Sequence, residues 1–297
     1  MKPGRASRTA EYMALFRALE ATRPAGRRLF EDPFAKSFLS PGLRAVVELS
    51  RFPPLGDLVR ATIDRRWPGA RTSAVARTRF IDDDAEASLR SGIEQVVVLG
   101  AGFDARALRL VGCREVDVFE VDHPSTSAAK RTAIERLLGS APRHVRFVPV
   151  DFDAMLLPAA MSAAGYDHRR RTLVIWEGVT NYLTEEAVDE TLRWCARSAA
   201  GSKVVFTYVH RDVLASPGIF PGTEKVLATL DAANERWTFG LDPSRVAAFL
   251  EERGLRLEAD LGAAQYRARC YGPAATRMRG YEFYRIAVAD VPGTMTG

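Results

Sequence analysis

The sequence VVVLGAGFDAR, residues 96–106, combines a predicted strand with a glycine-rich turn. A short valine-rich run ends at Gly100 and Gly102, and we expect a helix to begin near Asp104. Glycines at such a strand-to-helix turn permit unusual dihedrals and let a ligand approach the backbone closely. The turn alone is weak evidence of function. A tight turn needs no ligand, and Ala105 completes a GxGxxA pattern that would also admit a nicotinamide cofactor.

Further apolar runs follow the glycine turn at a regular pace, with helical patterns between them. The first five runs are nearly continuous, as in strands that are covered on both faces. They span residues 95–99, 115–121, 145–150, 172–176 and 202–209. This alternation predicts an α/β fold with a mostly parallel sheet. Two later runs, 255–261 and 281–289, alternate more, and we expect them to close the sheet edge.

The first 90 residues, by contrast, contain helical and loop patterns but no strand signal. Apolar spacing predicts helices over 7–20 and 71–89. Asp32 followed by Pro33 predicts another helix start, with Asp32 as its cap. We therefore assign residues 1–92 to an N-terminal helical cap and residues 93–297 to the sheet domain. A helical insert at about 212–240 could form a lid.

The composition is that of a soluble globular protein: 47% of the 297 residues are hydrophobic and 27% are charged. The net charge of +5 is spread along the chain, whereas nucleic-acid binders more often carry a concentrated basic stripe. No apolar run approaches the roughly 20 residues of a membrane span, and no signal peptide is evident. Three dispersed cysteines and four scattered histidines disfavour disulfides and a metal site. We expect a cytoplasmic protein without nucleic-acid or membrane partners; the oligomeric state stays open.

Acidic residues stand at the carboxyl end of the second predicted strand. Asp122 lies 20 residues beyond Gly102, a spacing at which an acid can accept hydrogen bonds from ribose hydroxyls. Glu120 is the competing candidate, because strand side chains two residues apart share a face.

The third and fourth predicted strands also end in polar residues. Asp151 could accept a proton of an adenine amino group while Phe152 lies against the ring, although helix capping by Asp151 is the simpler alternative. Glu177 directly follows the fourth strand. Open α/β sheets bind ligands in the crevice outside the strand carboxyl ends. Four successive strand ends with glycine or carboxylate groups are therefore more specific than any one motif.

Together these motifs resemble the leucine carboxyl methyltransferase family of S-adenosylmethionine-dependent O-methyltransferases. The resemblance rests on VVVLGAGFDAR, VFEVDHP (118–124), VPVDFD (148–153) and VIWEGVTNYL (174–183). The N-terminal SRTAEYMALFRALE, LFEDPFAK and ARTRFIDD and the late GYEFYRIAV are also similar to the family. The resemblance extends from about residue 7 to residue 288. It is closest to the bacterial branch, which includes enzymes that esterify natural-product carboxylates.

The resemblance implies a class I methyltransferase (Rossmann-like) sheet with a reversed last strand and a helical lid. It implies that the glycines approach the amino-acid part of S-adenosylmethionine, Asp122 its ribose, Asp151 and Phe152 its adenine, and Glu177 its ammonium group. The implied cofactor contacts are Arg77, Gly100, Gly102, Asp122, Asp151, Phe152 and Glu177. Two positions depart from the family pattern: Ala105 stands where threonine is common, and Phe152 where leucine is frequent.

Arg77 would pair with a carboxylate, either that of S-adenosylmethionine or that of the substrate. We favour the former, because a guanidinium clamped on the attacked oxygen would slow the transfer. A surface salt bridge to one of residues 82–84, whose charges we interpret as a solvated helix face, is the alternative. Tyr182, Tyr12 and Arg17 are candidates for the acceptor pocket.

The expected reaction forms a methyl ester on a small-molecule carboxylic acid, with S-adenosylhomocysteine as the other product. A carboxylate, with a pKa of about 4, needs no general base at neutral pH. Alternatives are a phenol or hydroxyl acceptor, for which His123 and His210 are candidate bases, and a C-terminal peptide carboxylate. An NAD(P)-dependent oxidoreductase is a more distant alternative, since we find no Tyr-x-x-x-Lys pair. The last alternative is a non-catalytic, basic adaptor protein that has kept a pocket of the nucleotide-binding type.

Overall fold

A seven-stranded sheet organises the chain. The computed structural model describes residues 8–150, 157–233 and 235–293. Its strands are β1 (Gln95–Leu99), β2 (Asp117–Asp122), β3 (Val145–Pro149), β4 (Thr172–Trp176), β5 (Lys203–Val209), β6 (Arg256–Gly262) and β7 (Tyr284–Asp290). The order across the sheet is β3-β2-β1-β4-β5-β7-β6.

The first five strands pair in parallel, and β7 is antiparallel to both β5 and β6. The prediction of a mostly parallel sheet with a reversed last strand is therefore confirmed. One detail of the prediction was wrong: β7 lies inside the sheet, and only β6 of the two late strands forms its edge. The polar alternation of β6 fits this edge position, because its outer residues meet solvent.

The central strands are apolar because helices cover both of their faces. Every side chain of β1 and of β4 is buried. On one face Val97, Phe119 and Trp176 belong to a core that also contains Leu192 and Leu250 from the helices. Such two-sided burial explains why these strands show no alternation in the sequence.

The α helices of the described residues are α1 (Arg8–Ala21), α2 (Pro41–Leu49), α3 (Pro53–Arg66), α4 (Ala70–Arg90), α5 (Arg106–Arg109), α6 (Pro124–Leu138), α7 (Leu157–Ala163), α8 (Glu185–Cys195), α9 (Asp212–Ala215), α10 (Thr223–Ala233), α11 (Val246–Glu251) and α12 (Ala263–Tyr271). None of these helices has both the length and the apolar composition needed to cross a membrane.

Asp32 bonds to N–H groups at a helix start, but this helix is a short 3-10 helix (Ala35–Phe38) whose N-cap residue is Phe34, so the predicted cap position was two residues too early. One carboxylate oxygen accepts the backbone N–H groups of Phe34 (3.1 Å) and Ala35 (2.9 Å), at the entry to a short 3-10 helix. Such a cap satisfies N–H groups that the helix itself cannot pair.

The N-terminal helices take two different positions. α1 packs through Ala14 and Leu19 against Phe103 and Leu108, which follow the glycine turn. α4, in contrast, packs directly on the second face of the sheet, where Ile81 is fully buried with residues of β1. α1 thus lies over the carboxyl ends of the strands, while α4 forms part of the core.

Candidate active site

The glycine turn after β1 has the conformation that its sequence predicts. Gly100 and Gly102 have φ angles of +63° and +45°, in the left-handed region that favours glycine. A β-carbon at Gly100 would collide with the side chain of Val179, which follows β4, and one at Gly102 would lie 3.2 Å from the β-carbon of Ala10 on α1. The turn is therefore enclosed by the β4 side of the sheet and by the first helix.

Asp122, at the end of β2, lies against this turn. Its carboxylate accepts the backbone N–H of Gly102 and that of His123, the latter at 2.6 Å. Burial raises the pKa of Asp122, although these two bonds oppose the shift. The side chain is only partly buried, so its remaining lone pairs can accept hydrogen bonds from a ligand.

Glu120, the competing ribose candidate, has a different environment. It is 2% exposed, and its carboxylate forms an ion pair of 2.8 Å with Lys130 of α6, which is also buried. The two candidates share a face of β2, as expected, but only Asp122 reaches the glycine turn.

Glu177, directly after β4, is held by two arginines. One carboxylate oxygen lies 2.7 Å from Nε of Arg77, on α4, and the other lies 2.8 Å from Nη1 of Arg106, on α5. Burial would raise the pKa of Glu177, but the charges of Arg106 and Arg77 outweigh burial and lower it. Glu177 is therefore a carboxylate that stays ionised in an enclosed site.

Arg77 contacts Glu177 rather than residues 82–84, so the alternative of a surface salt bridge was wrong. Its guanidinium also lies 4.6 Å from the ring centroid of Tyr284, on β7, a cation–π contact. The structure thus brings together Arg77 and Glu177, which the sequence placed 100 residues apart. Their contact presents a positive and a negative group side by side.

Sequence reasoning missed the importance of Arg106. Its guanidinium binds Asp82 (2.7 Å) and Asp104 in addition to Glu177, and Arg109 binds the same Asp82 oxygen at 2.6 Å. Although burial favours the neutral acid, Arg106 holds the pKa of Asp104 far below its usual value. Arg106 therefore links Glu177 to a buried network of ion pairs that also includes Asp82 and Arg109.

The interpretation of residues 82–84 as a solvated helix face was wrong for Asp82, which is 4% exposed. Its position offered a signal: Asp82 adjoins Ile81 and lies four residues after Thr78 and three before Ala85, so it falls on the stripe of α4 that the structure buries. A carboxylate on such a stripe needs a buried cation, and the motif GFDAR supplies one.

The three acceptor-pocket candidates lie on two elements. Tyr182 follows Glu177 on a short 3-10 turn, and burial raises the pKa of its hydroxyl. Tyr12, on α1, accepts a hydrogen bond from Arg8 at 3.3 Å. Arg17 binds Asp32 (2.9 Å) and the carbonyl of Phe103, so it ties the cap to the segment after the glycine turn.

The adenine candidates Asp151 and Phe152 lie outside the described residues. Their neighbourhood is nevertheless defined, because the N–H of Val150 donates to the carbonyl of Asp122 at 2.9 Å. The end of β3 therefore adjoins the predicted ribose site, and the adenine roles stay predictions.

A family model described as leucine carboxyl methyltransferase matches residues 10–196. The chain belongs to the leucine carboxyl methyltransferase family. The resemblance inferred from the motifs is thereby confirmed. The nicotinamide alternative is set aside, since dinucleotide-binding sheets of order 3-2-1-4-5-6 lack the reversed strand that this methyltransferase inserts between β5 and β6.

Curated relatives of this family member are named as S-adenosyl-L-methionine-dependent methyltransferases. One from Frankia alni is 35% identical over 265 residues, which cover 89% of this chain and 86% of the relative. Another from Streptomyces coelicolor is 37% identical over 220 residues, which cover 72% of this chain and 74% of the relative.

Solved structures share the methyltransferase fold. A protein of Thermobifida fusca named as a methyltransferase has a TM-score of 0.59 at 16% identity and covers 94% of both chains. A DUF574 family protein of Streptomyces avermitilis has a TM-score of 0.59 at 18% identity, and the match covers 93% of this chain and 97% of that one. At these identities the similarity shows the fold alone.

Proposed function

We propose that this methyltransferase esterifies the carboxylate of a small organic acid, with S-adenosylmethionine as methyl donor and S-adenosylhomocysteine as product. The observation that carries the proposal is the contact between Arg77 and Glu177 beside the glycine turn. A free amino-acid group carries one ammonium and one carboxylate, and this pair offers a charge complementary to each. Family membership and the names of the curated relatives support the same donor.

The described residues fit such a donor. Gly100 and Gly102 give the turn its positive φ angles, and Val179 and Ala10 pack where their β-carbons would lie, so the two glycines shape the turn that the amino-acid part of the donor would meet. Glu177 would bind its ammonium group, Arg77 its carboxylate, and Asp122 its ribose hydroxyls. When bound, S-adenosylmethionine supplies a methyl group that is already activated by the sulfonium.

The contribution of the protein is then mainly to position the two partners. Orientation can supply roughly 7–11 kcal/mol of such a barrier. An oxygen of the acceptor carboxylate provides the electron pair of the new O–CH₃ bond, the pair of the breaking C–S bond leaves with sulfur, and no proton is transferred. Opposite charges cancel along this path, so a site without water favours it. α1, which lies over the glycine turn near Ala10, helps to exclude water.

A phenol acceptor, with a pKa near 10, would instead benefit from a general base. The two candidate bases have other contacts. His123 caps α6, where its Nδ1 contacts Ser125 at 2.8 Å, and Nδ1 of His210 accepts the backbone N–H of Asp212 at 3.2 Å. These contacts involve Nδ1 of each ring, so a phenol acceptor would have to use Nε2 of one of them as its base.

The proposal is tested with methyl-labelled S-adenosylmethionine and matched acceptors: an aromatic acid, a phenol with the same skeleton, and a peptide with a free C-terminus. We expect label in the acid, released as methanol by mild alkali, because esters hydrolyse where aryl ethers do not. Label that resists alkali would contradict ester formation. Calorimetry with S-adenosylhomocysteine and with NAD tests the donor: binding of NAD alone would overturn the proposal.

A further inference from the structure

An aromatic cluster borders the Arg77–Glu177 pair at the same edge of the sheet. Its rings come from the turn after β4, from the insert and from residues 281–284, where β7 begins. Neighbouring ring centroids are 5.0 to 6.5 Å apart. The aromatic cluster consists of Tyr182, Phe220, Trp237, Tyr281, Phe283 and Tyr284. Tyr284 joins it to the site, because its ring receives the guanidinium of Arg77 and its hydroxyl lies 4.0 Å from the place of a β-carbon at Gly178.

Two buried N–H donors around Tyr284 have no hydrogen-bond partner among the described residues. They are Nδ2 of Asn181, a fully buried residue, and Nε1 of Trp237, whose ring lies 6.1 Å from that of Tyr284. The indole N–H lies near the hydroxyl of Tyr182 but does not form a hydrogen bond of normal geometry with it. The other terminal atom of Asn181 is occupied, since its Oδ1 accepts the hydroxyl of Tyr284 at 3.0 Å. The backbones of the two segments are also joined, because the N–H of Thr238, next to Trp237, donates to the carbonyl of Asn181 at 2.8 Å.

Unpartnered buried donors lose the hydrogen bonds that water gave them in the unfolded chain, so folded proteins retain few of them. The indole groups of Trp176 and Trp194 are also unpartnered, but both rings lie in the apolar core on one face of the sheet. The donors of Asn181 and Trp237 differ because both lie around Tyr284, whose ring contacts Arg77 of the site. A hydrogen-bond acceptor brought by a ligand would satisfy them.

We propose that Asn181 and Trp237 bind the carboxylate of the methyl acceptor, and that this acceptor is an aromatic acid whose ring packs within the aromatic cluster. The inference rests on the proposed function, and it names the substrate class and the residues that select it. Aromatic rings prefer offset or edge-to-face contacts at these distances, which suits a flat apolar acceptor.

Neutral donors suit this nucleophile better than an arginine does. The acceptor carboxylate loses its negative charge as the ester forms, so a cation that stabilises the charged ground state would raise the barrier. Amide and indole N–H groups orient one oxygen with a smaller charge effect. Arg77, meanwhile, is the residue that the proposed function assigns to the carboxylate of S-adenosylmethionine, beside its contact with Glu177.

The test is calorimetry on the full chain saturated with S-adenosylhomocysteine, with 2-naphthoate, its neutral analogue 2-naphthamide and the aliphatic hexanoate as probes. We expect the wild type to bind 2-naphthoate at least tenfold more tightly than either other probe. Trp237→Phe keeps an aromatic ring but removes the donor, and should weaken 2-naphthoate binding about tenfold with little effect on 2-naphthamide. Asn181→Leu should act in the same direction. Trp194→Phe, which removes an unpartnered indole from the core, should change neither affinity.

The outcomes separate this inference from the proposed function. Failure of the wild type to bind S-adenosylhomocysteine would overturn the methyltransferase site itself. Normal binding of S-adenosylhomocysteine with no preference for 2-naphthoate would overturn the aromatic-acid class. A preference for 2-naphthoate that survives in Trp237→Phe would overturn the role of the donors, and Trp237→Phe decides this even if Asn181→Leu does not fold.

Discussion

Two glutamates, Glu120 and Glu177, stand on opposite sides of the glycine turn, and their surroundings differ. Glu120 of β2 forms a single enclosed pair with Lys130, and burial raises its pKa although Lys130 opposes the shift. Glu177 after β4 contacts both Arg77 and Arg106, and these charges lower its pKa against the effect of burial. One carboxylate is sealed within the fold, whereas the side chain of the other keeps 16% of its surface exposed.

The ion pairs and exposure of these two glutamates show that an acid at a strand end is not by itself a ligand site. Glu120 and Lys130 neutralise each other, and neither has surface left for another molecule. Arg77 gives one N–H to Glu177, and a guanidinium carries five. It can therefore bind a further carboxylate without abandoning its partner. The unused N–H groups of Arg77, next to the partly exposed carboxylate of Glu177, distinguish this pair from Glu120 and Lys130 as a place for a ligand.

The largest expected effect follows from Glu177→Gln. The amide cannot balance an ammonium group, and it leaves Arg77 and Arg106 without their carboxylate, so affinity for S-adenosylmethionine should fall about 1000-fold, or about 4 kcal/mol. Calorimetry measures the affinity, and a thermal melt verifies that the variant is folded. The matched variant Glu120→Gln should keep the affinity within about threefold. The reverse ranking of the two variants would show that the functional assignment is inverted.

The next effect is on stability and belongs to the other glutamate. Glu120→Gln leaves Lys130 buried without its counter-ion, and breaking a buried pair from one side costs about 3 kcal/mol or more. Urea denaturation measures this loss. The double variant Glu120→Leu/Lys130→Met should recover most of it, because an apolar pair of similar volume replaces both charges. A single variant as stable as the wild type would mean that the pair is not part of the structural core.

The sequence predicted the sheet well because its strands are buried on both faces and their apolar runs are continuous. It also predicted that Asp122 and the glycine turn lie at the same edge of the sheet, since both stand at the ends of adjacent parallel strands. It could not choose between Asp122 and Glu120, because the choice depends on Lys130, whose position on α6 is set by packing. The same holds for Arg106, which meets Asp82 and Glu177 only when helix packing brings three distant segments together.

A smaller effect is expected for Asp122→Ala. Loss of the ribose contacts should lower affinity for S-adenosylmethionine about 100-fold, or about 2.7 kcal/mol, since hydrogen bonds to a charged group are worth about 1.5–3 kcal/mol. Calorimetry with S-adenosylmethionine measures the loss, and a melt serves as the folding control. Unchanged affinity would show that Asp122 does not hold the ribose.

The smallest effect concerns pH and separates the two glutamates by sign. The pKa of Glu177 is lower in the folded chain than the usual value of 4.5, so below pH 4.5 the unfolded chain binds more protons at this residue. The contribution of Glu177 to stability is therefore complete above pH 4.5 and is lost as the pH falls through the folded pKa. At Glu120, whose pKa is raised, the folded chain binds more protons above pH 4.5, so stability declines as the pH rises through the folded pKa. Each slope is at most about 1.4 kcal/mol per pH unit.

Urea denaturation at several pH values on both sides of 4.5 measures these slopes in the two single variants. Glu177→Gln should flatten the rise in stability below pH 4.5 and leave the higher range unchanged. Glu120→Gln should remove the decline above pH 4.5 and leave the acid limb unchanged. Each variant is the control for the other, because both replace a buried glutamate by glutamine. The same change of slope in both variants would mean that the two carboxylates share one electrostatic environment, and the contrast between the two sides of the turn would be lost.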